Sequence, residues 1–210
     1  MESLLIDGPV GQLQCAYHDV GSQDILLICH PHPQFQGTMN NKVVTTTGKT
    51  YMDMGIDVMR FNYRGVGESG GEYGDVSGEV EDGLAVAQWL IQNKRPKRLF
   101  LAGFSFGAYI AAAIVVELSK ASPSISVPHL LLIAPSVENF PFEKVTPFTL
   151  PTTVIMGEQD EVVEFDAVSD WVDTQYPPVE FISMSEATHF FHGQLVLLKQ
   201  ELKASLSPHL

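Results

Sequence analysis

The feature that most constrains this chain is a series of short apolar runs, each separated from the next by a segment long enough for a helix. Five runs, residues 25–29, 57–62, 98–102, 129–134 and 152–156, are continuous rather than alternating, so both faces of each strand are expected to be buried. A sixth, residues 180–184, reads the same way. Two further strands, residues 4–6 and 12–17, come first and are joined by the turn signal Asp7-Gly8-Pro9. Helical stripes lie between the runs: Val43, Thr47, Tyr51 and Met54; Phe165, Val168 and Val172; Leu195, Leu198, Leu202 and Leu206. In residues 76–92 the stripe is Val76, Val80, Leu84, Ala87 and Leu90. Glu79, Glu81 and Asp82 sit in its first turns, and Lys94 and Arg95 precede Pro96, a charge order that suits the helix dipole. Residues 108–118 are apolar all round and predict a buried helix. Buried strands alternating with helices specify the α/β class: a mostly parallel sheet of about eight strands, covered on both faces. Such sheets carry their chemistry at the carboxyl ends of the strands.

No repeat and no linker divides the 210 residues, so one domain over 1–210 is expected. A hydrophobic share of 45% with 18% charged residues is a globular balance. No stretch approaches the ~18 apolar residues of a membrane span, and Met1-Glu2-Ser3-Leu4 lacks the basic start of a secretory leader. With only Cys15 and Cys29, both in strand-like runs, a reducing, cytoplasmic setting is expected. A net charge of −13 repels phosphate backbones, so neither nucleic acid nor an anionic membrane is an expected partner.

The strand at 98–102 runs into Gly103-Phe104-Ser105-Phe106-Gly107, and the buried helix follows at once. This is G-x-S-x-G in a strand–turn–helix setting, where a serine stands at the tip of a strained elbow as a nucleophile. Gly103 and Gly107 remove the Cβ atoms that would keep strand and helix apart. A serine hydroxyl needs a base, and the base needs an orienting acid. The loop after 152–156 offers Asp160, with Glu158, Glu161 and Asp166 as rival acids; the loop after 180–184 offers His189, with His192 as rival base. The loop after 25–29, His30-Pro31-His32-Pro33, should supply one oxyanion N–H. Prolines have no N–H, which leaves His32 first and Gln34 second; Phe106, next to the serine, supplies the other donor.

Two apparent motifs point elsewhere. Gly65-Val66-Gly67-Glu68-Ser69-Gly70 spells G-x-G-x-x-G, but Gly70-Gly71-Glu72-Tyr73-Gly74 cannot open the helix that a dinucleotide's pyrophosphate requires, so no such cofactor is expected. His30 and His32 could chelate, but no cysteine or carboxylate cluster accompanies them, and no metal is expected.

Five stretches together resemble the small, lid-less bacterial α/β-hydrolases allied to dienelactone hydrolase and the serine carboxylesterases. They are His30-Pro31-His32-Pro33 through Asn40-Asn41-Lys42-Val43-Val44, Arg60 through Gly70, Gly103 through Tyr109, Gly157-Glu158-Gln159-Asp160-Glu161-Val162-Val163 and Thr188-His189-Phe190-Phe191-His192-Gly193. The resemblance implies the α/β-hydrolase fold without a cap domain, and a triad of Ser105, Asp160 and His189. Dienelactone hydrolase itself uses a cysteine where this chain has Ser105, so its lactone substrate is not implied. The expected activity is hydrolysis of small carboxylic esters by a monomer or homodimer. Acyl transfer or peptide cleavage would use the same triad, and a non-catalytic binding module on this fold is the alternative of a different class. Residues 135–151 hold Pro135, Pro141, Pro147 and Pro151 and leave no room for a lid. Phe35, Phe104 and Phe106 are candidates for an apolar wall, with at least one expected to serve as packing.

Overall fold

A computed structural model describes residues 1–210. Eight strands form one sheet: β1 (Glu2–Gly8), β2 (Gly11–His18), β3 (Asp24–Cys29), β4 (Asp57–Phe61), β5 (Arg98–Phe104), β6 (Leu130–Ile133), β7 (Thr152–Gly157) and β8 (Glu180–Met184). Their spatial order is β1-β2-β4-β3-β5-β6-β7-β8. β1 and β2 pair as a hairpin and join β4 antiparallel; from β4 to β8 all neighbours are parallel. Five helices alternate with the strands: α1 (Lys42–Asp53), α2 (Ser77–Asn93), α3 (Phe106–Ala121), α4 (Phe165–Asp173) and α5 (Leu195–Leu206).

The order of connections decides where a cleft opens. The chain leaves β3 through α1 toward one edge and leaves β5 through α3 toward the other. Right-handed crossovers therefore put α1 on one face and α2, α3 and α4 on the opposite face. α5 packs beside α1, and α2 beside α3. Between the carboxyl ends of β3 and β5 the chain departs to opposite faces. That divergence is the crevice in which doubly wound sheets bind ligands.

Two sequence expectations need correction. β8 was expected to be fully buried, yet Glu180 and Ser183 are exposed and only Met184 is buried. β8 is an edge strand with one neighbour, β7, and its outer flank faces solvent. In α2 the expected stripe is buried only at Ala87 and Leu90; Val76, Val80 and Leu84 are half-buried, and the rest of the buried face is Gly78, Glu79, Asp82, Gly83 and Val86. The acids are inside because each has a partner. Glu79 accepts from the N–H groups of Gly74 at 2.8 Å and Val76 at 2.9 Å. Asp82 holds the Arg64 guanidinium through both oxygens, with Nη2···Oδ1 at 2.8 Å. Between β6 and β7 only one short 3₁₀ turn, Phe142–Lys144, is formed, so no cap covers the sheet edge.

Candidate active site

β5 delivers its last residue, Phe104, directly into Ser105, and α3 begins at Phe106. Ser105 sits at φ 56°, ψ −118°, a strained backbone for a residue with a Cβ, which costs roughly 1–3 kcal/mol. The strain is held by two bonds: Ser105 N–H donates to Ile133 O at 2.8 Å, and Ser105 O accepts from Ala108 N–H at 2.9 Å. Gly103 lets strand and helix approach as expected, whereas Gly107 makes room for the end of β3. A Cβ on Gly103 would collide with the Gly107 carbonyl, and one on Gly107 with the carbonyls of Cys29 and His30. Strand, elbow and the loop after β3 are thus in backbone contact.

Asp160 and His189 arrive from the loops after β7 and β8. Asp160 Oδ2 lies 2.7 Å from His189 Nδ1, and both side chains are buried. The other oxygen, Oδ1, accepts the N–H groups of Val162 and Val163, each at 2.8 Å, which fixes the carboxylate. With Nδ1–H donated to Asp160, the lone pair of Nε2 is the basic site. Among the rivals, Glu158 and Asp166 are exposed, and Glu161 instead accepts the backbone N–H of His189 at 3.1 Å. His192 is exposed and stacks on Phe190. His189 and Ser105 both line one cavity of about 490 Å³, and no hydrogen bond joins them.

The loop after β3 closes the third side. His30 is fully buried, its Nδ1 2.7 Å from Pro31 O and its Nε2 accepting Tyr63 N–H at 3.3 Å. Burial pushes its pKa down to about 3, so the ring is neutral; Nδ1 braces its own loop at Pro31 and Nε2 ties that loop to the chain leaving β4 at Tyr63. Gln34 N–H donates to His32 Nδ1 at 3.2 Å, whereas His32 N–H donates to no protein acceptor. Of the two candidate loop donors, His32 is therefore the one available. Phe106, at the first position of α3, has no carbonyl one turn back in the helix and is free in the same sense. Two free N–H groups and a helix N-terminus beside Ser105 can stabilise an oxyanion.

Of the three phenylalanines, only Phe35 lines the cavity, 82% exposed at its mouth; Phe104 and Phe106 are buried. Phe104 packs against the His189 ring at a centroid separation of 5.0 Å. Val162, Phe190, Gln36 and Asn41 also line the cavity and carry no sequence signal of their own, because loop side chains have no periodicity. The segment 65–70 is a loop, and α2 opens only at Ser77, so no helix N-terminus lies within that glycine motif. Its neighbours are structural: Arg60 donates to Met39 O at 2.7 Å, and Asn62 Oδ1 accepts Met39 N–H at 2.9 Å, tying down the loop that leads into α1. Cys15 and Cys29 are buried, with their thiols pushed up to about 12 by desolvation, and neither lines the cavity. No helix is long and apolar enough to cross a membrane.

Comparison with known proteins bears on the fold. A family model described as alpha/beta hydrolase fold matches residues 75–180. An uncharacterized protein of Rickettsia prowazekii is 34% identical over 202 residues, spanning 91% of this chain and 82% of its own length. An alpha-beta serine hydrolase homologue from Coxiella burnetii is 43% identical, with a TM-score of 0.89 and coverage of 98% of this chain and 97% of its own. A lid-less serine hydrolase from Xanthomonas campestris is 34% identical, with a TM-score of 0.91 and coverage of 99% and 94%. By fold, elbow and relatives, this chain belongs to the α/β-hydrolase fold family.

Proposed function

We propose that the protein is a serine hydrolase that cleaves small carboxylic esters through an acyl-enzyme on Ser105. The observation that carries this reading is that the strained Ser105 elbow and His189, itself bonded to Asp160, line one cavity. In this reading Ser105 Oγ attacks the ester carbonyl while His189 Nε2 takes its proton. The His32 and Phe106 N–H groups hold the oxyanion, and collapse of the tetrahedral adduct expels the alcohol, which receives the proton from His189. Water then attacks the acyl-enzyme by the same steps in reverse order, releasing the acid and restoring Ser105.

Substrate size follows from what surrounds the serine. Without a cap the site forgoes the exclusion of water that a closing lid provides. Each acyl methylene left in solvent forgoes about 0.8 kcal/mol of burial. Highest kcat/KM is therefore expected on acetyl to about butyryl esters, without activation at an interface. A p-nitrophenyl ester series measured below and above the micellar limit tests this. Turnover of short chains that disappears in Ser105→Ala supports the reading; a preference rising through decanoyl, or a rate jump at the interface, contradicts it.

A further inference from the structure

Each polar atom of His32 except its N–H is engaged. Its carbonyl accepts Phe35 N–H at 3.1 Å and Gly37 N–H at 3.0 Å. Its Nδ1 accepts Gln34 N–H at 3.2 Å, which requires that nitrogen to carry no proton. The remaining ring proton is then on Nε2, and it points to the hydroxyl of Tyr73, 3.2 Å away. Around the ring stand Phe35, Tyr73, Phe106 and Phe140, at centroid separations from 4.7 Å for Phe106 to 6.2 Å for Phe140. Only the N–H beside Ser105 is left unpaired.

We propose that Tyr73, acting through the neutral His32 ring, is a positioning residue that aims the His32 N–H at the substrate oxyanion. This rests on the ester-hydrolase reading above and adds a residue from outside the cavity. Tyr73 belongs to the loop before α2 and does not line the Ser105 cavity; it lines a separate groove of about 850 Å³ between α2, α3 and the β6–β7 connection. The chain of bonds runs Gln34 N–H to Nδ1, then Nε2–H to Tyr73 Oη. It fixes the tautomer and ring angle, and through them the φ of −54° and ψ of 124° at His32. Burial lowers the pKa of His32, which keeps the ring in the neutral form that can accept from Gln34. A proton on Nδ1 would displace Gln34 N–H and uncouple the ring from the turn, which its backbone bonds to the His32 carbonyl would still hold.

An oxyanion donor acts only once charge has moved to the carbonyl oxygen, so its misplacement lowers kcat and leaves KM nearly unchanged. Tyr73→Phe is expected to lower kcat on p-nitrophenyl acetate about tenfold with KM within about twofold, less than the ~10²–10³-fold that loss of a whole donor costs. His32→Asn, whose Oδ1 can still accept Gln34 N–H, should retain more activity than His32→Ala. Asn is too short to reach Tyr73, so Tyr73→Phe placed in the His32→Asn background should change nothing further. Thermal unfolding of each variant, run alongside, separates loss of fold from loss of positioning, and the His32→Asn and His32→Ala pair tests the turn without touching Tyr73. A raised KM at unchanged kcat in Tyr73→Phe would make Tyr73 a substrate contact and overturn the proposal. Full multiplication of the two effects in the double variant would overturn it as well. Wild-type protein that neither turns over esters nor labels at Ser105 would instead count against the ester-hydrolase reading itself.

Discussion

Two glycine turns follow strands at the same edge of this sheet, and they do opposite things. Gly103–Gly107 leads into α3 without an intervening residue, so a helix N-terminus and a strained serine stand over the cleft. Gly65–Gly70 closes on itself, with Gly65 N–H donating to Gly70 O at 3.0 Å, and is stitched to β2 through Gly70 N–H to Gln12 O at 2.8 Å. Ser69 Oγ adds a bridge, accepting Gln14 N–H at 2.9 Å and donating to Asn62 O at 2.8 Å. The first turn exposes backbone donors; the second consumes them. A glycine pattern therefore acquires meaning from the distance to the next helix, not from the glycines.

Substitutions can break this contrast, most strongly in chemistry. Ser105→Ala is expected to lower kcat by about 10⁴- to 10⁶-fold, and Asp160→Asn by up to about 10⁴-fold through the wrong His189 tautomer. His189→Ala should match the serine variant, while His192→Ala and Glu158→Gln stay near wild type in steady-state assays. The next effect is on folding. Gly103→Ala forces a Cβ into the Gly107 carbonyl, a clash between backbones that cannot rotate away, and should cost more than about 3 kcal/mol in urea unfolding. At Gly70 the nearest atom to an added Cβ is Gly11 Cα at 3.2 Å, so Gly70→Ala should cost only about 1 kcal/mol and leave kcat intact. Equal losses at the two glycines would erase the distinction between the turns. Asp82→Ala, which leaves the buried Arg64 guanidinium at the head of the second turn with only the exposed Glu81 as a partner at 3.2 Å, is expected to cost about 3 kcal/mol.

A smaller effect follows from buried histidines at the two ends of the sheet. His30 beneath the elbow and His129 beside Thr153 are both pushed down to about 3 by burial, from an ordinary value of 6.5. Between these values the unfolded chain binds protons that the folded chain does not, so stability is complete above pH 6.5 and falls as pH drops toward 3. Each histidine contributes a slope of up to about 1.4 kcal/mol per pH unit in that window. His129→Gln keeps a donor toward Thr153 Oγ1, 2.8 Å from the histidine nitrogen, but has no proton to gain. The pH dependence of its urea midpoint should be shallower than that of wild type; an unchanged slope would remove His129 from the account.

Much of this was readable in the chain because the determinants are local. Apolar runs predicted the six parallel strands to within two residues, and G-x-S-x-G in its strand–turn–helix setting located the elbow. What escaped depended on partners distant in sequence. The exposure of β8 follows from its place at the end of the strand order, which no single run encodes. Glu79 and Asp82 read as first-turn acids serving the helix dipole, yet they are buried because Arg64 and the N–H groups of Gly74 and Val76 face them. The choice between His32 and Gln34 turned on a side-chain bond, Gln34 N–H to His32 Nδ1, that sequence spacing cannot reveal.

The most direct test is intact-protein and peptide mass spectrometry after exposure to a fluorophosphonate. One adduct per chain is expected, carried on the peptide containing Ser105, slowed severely in His189→Ala and absent in Ser105→Ala. Labelling that persists in Ser105→Ala, or an adduct on another residue, would contradict the assignment of Ser105 as the nucleophile.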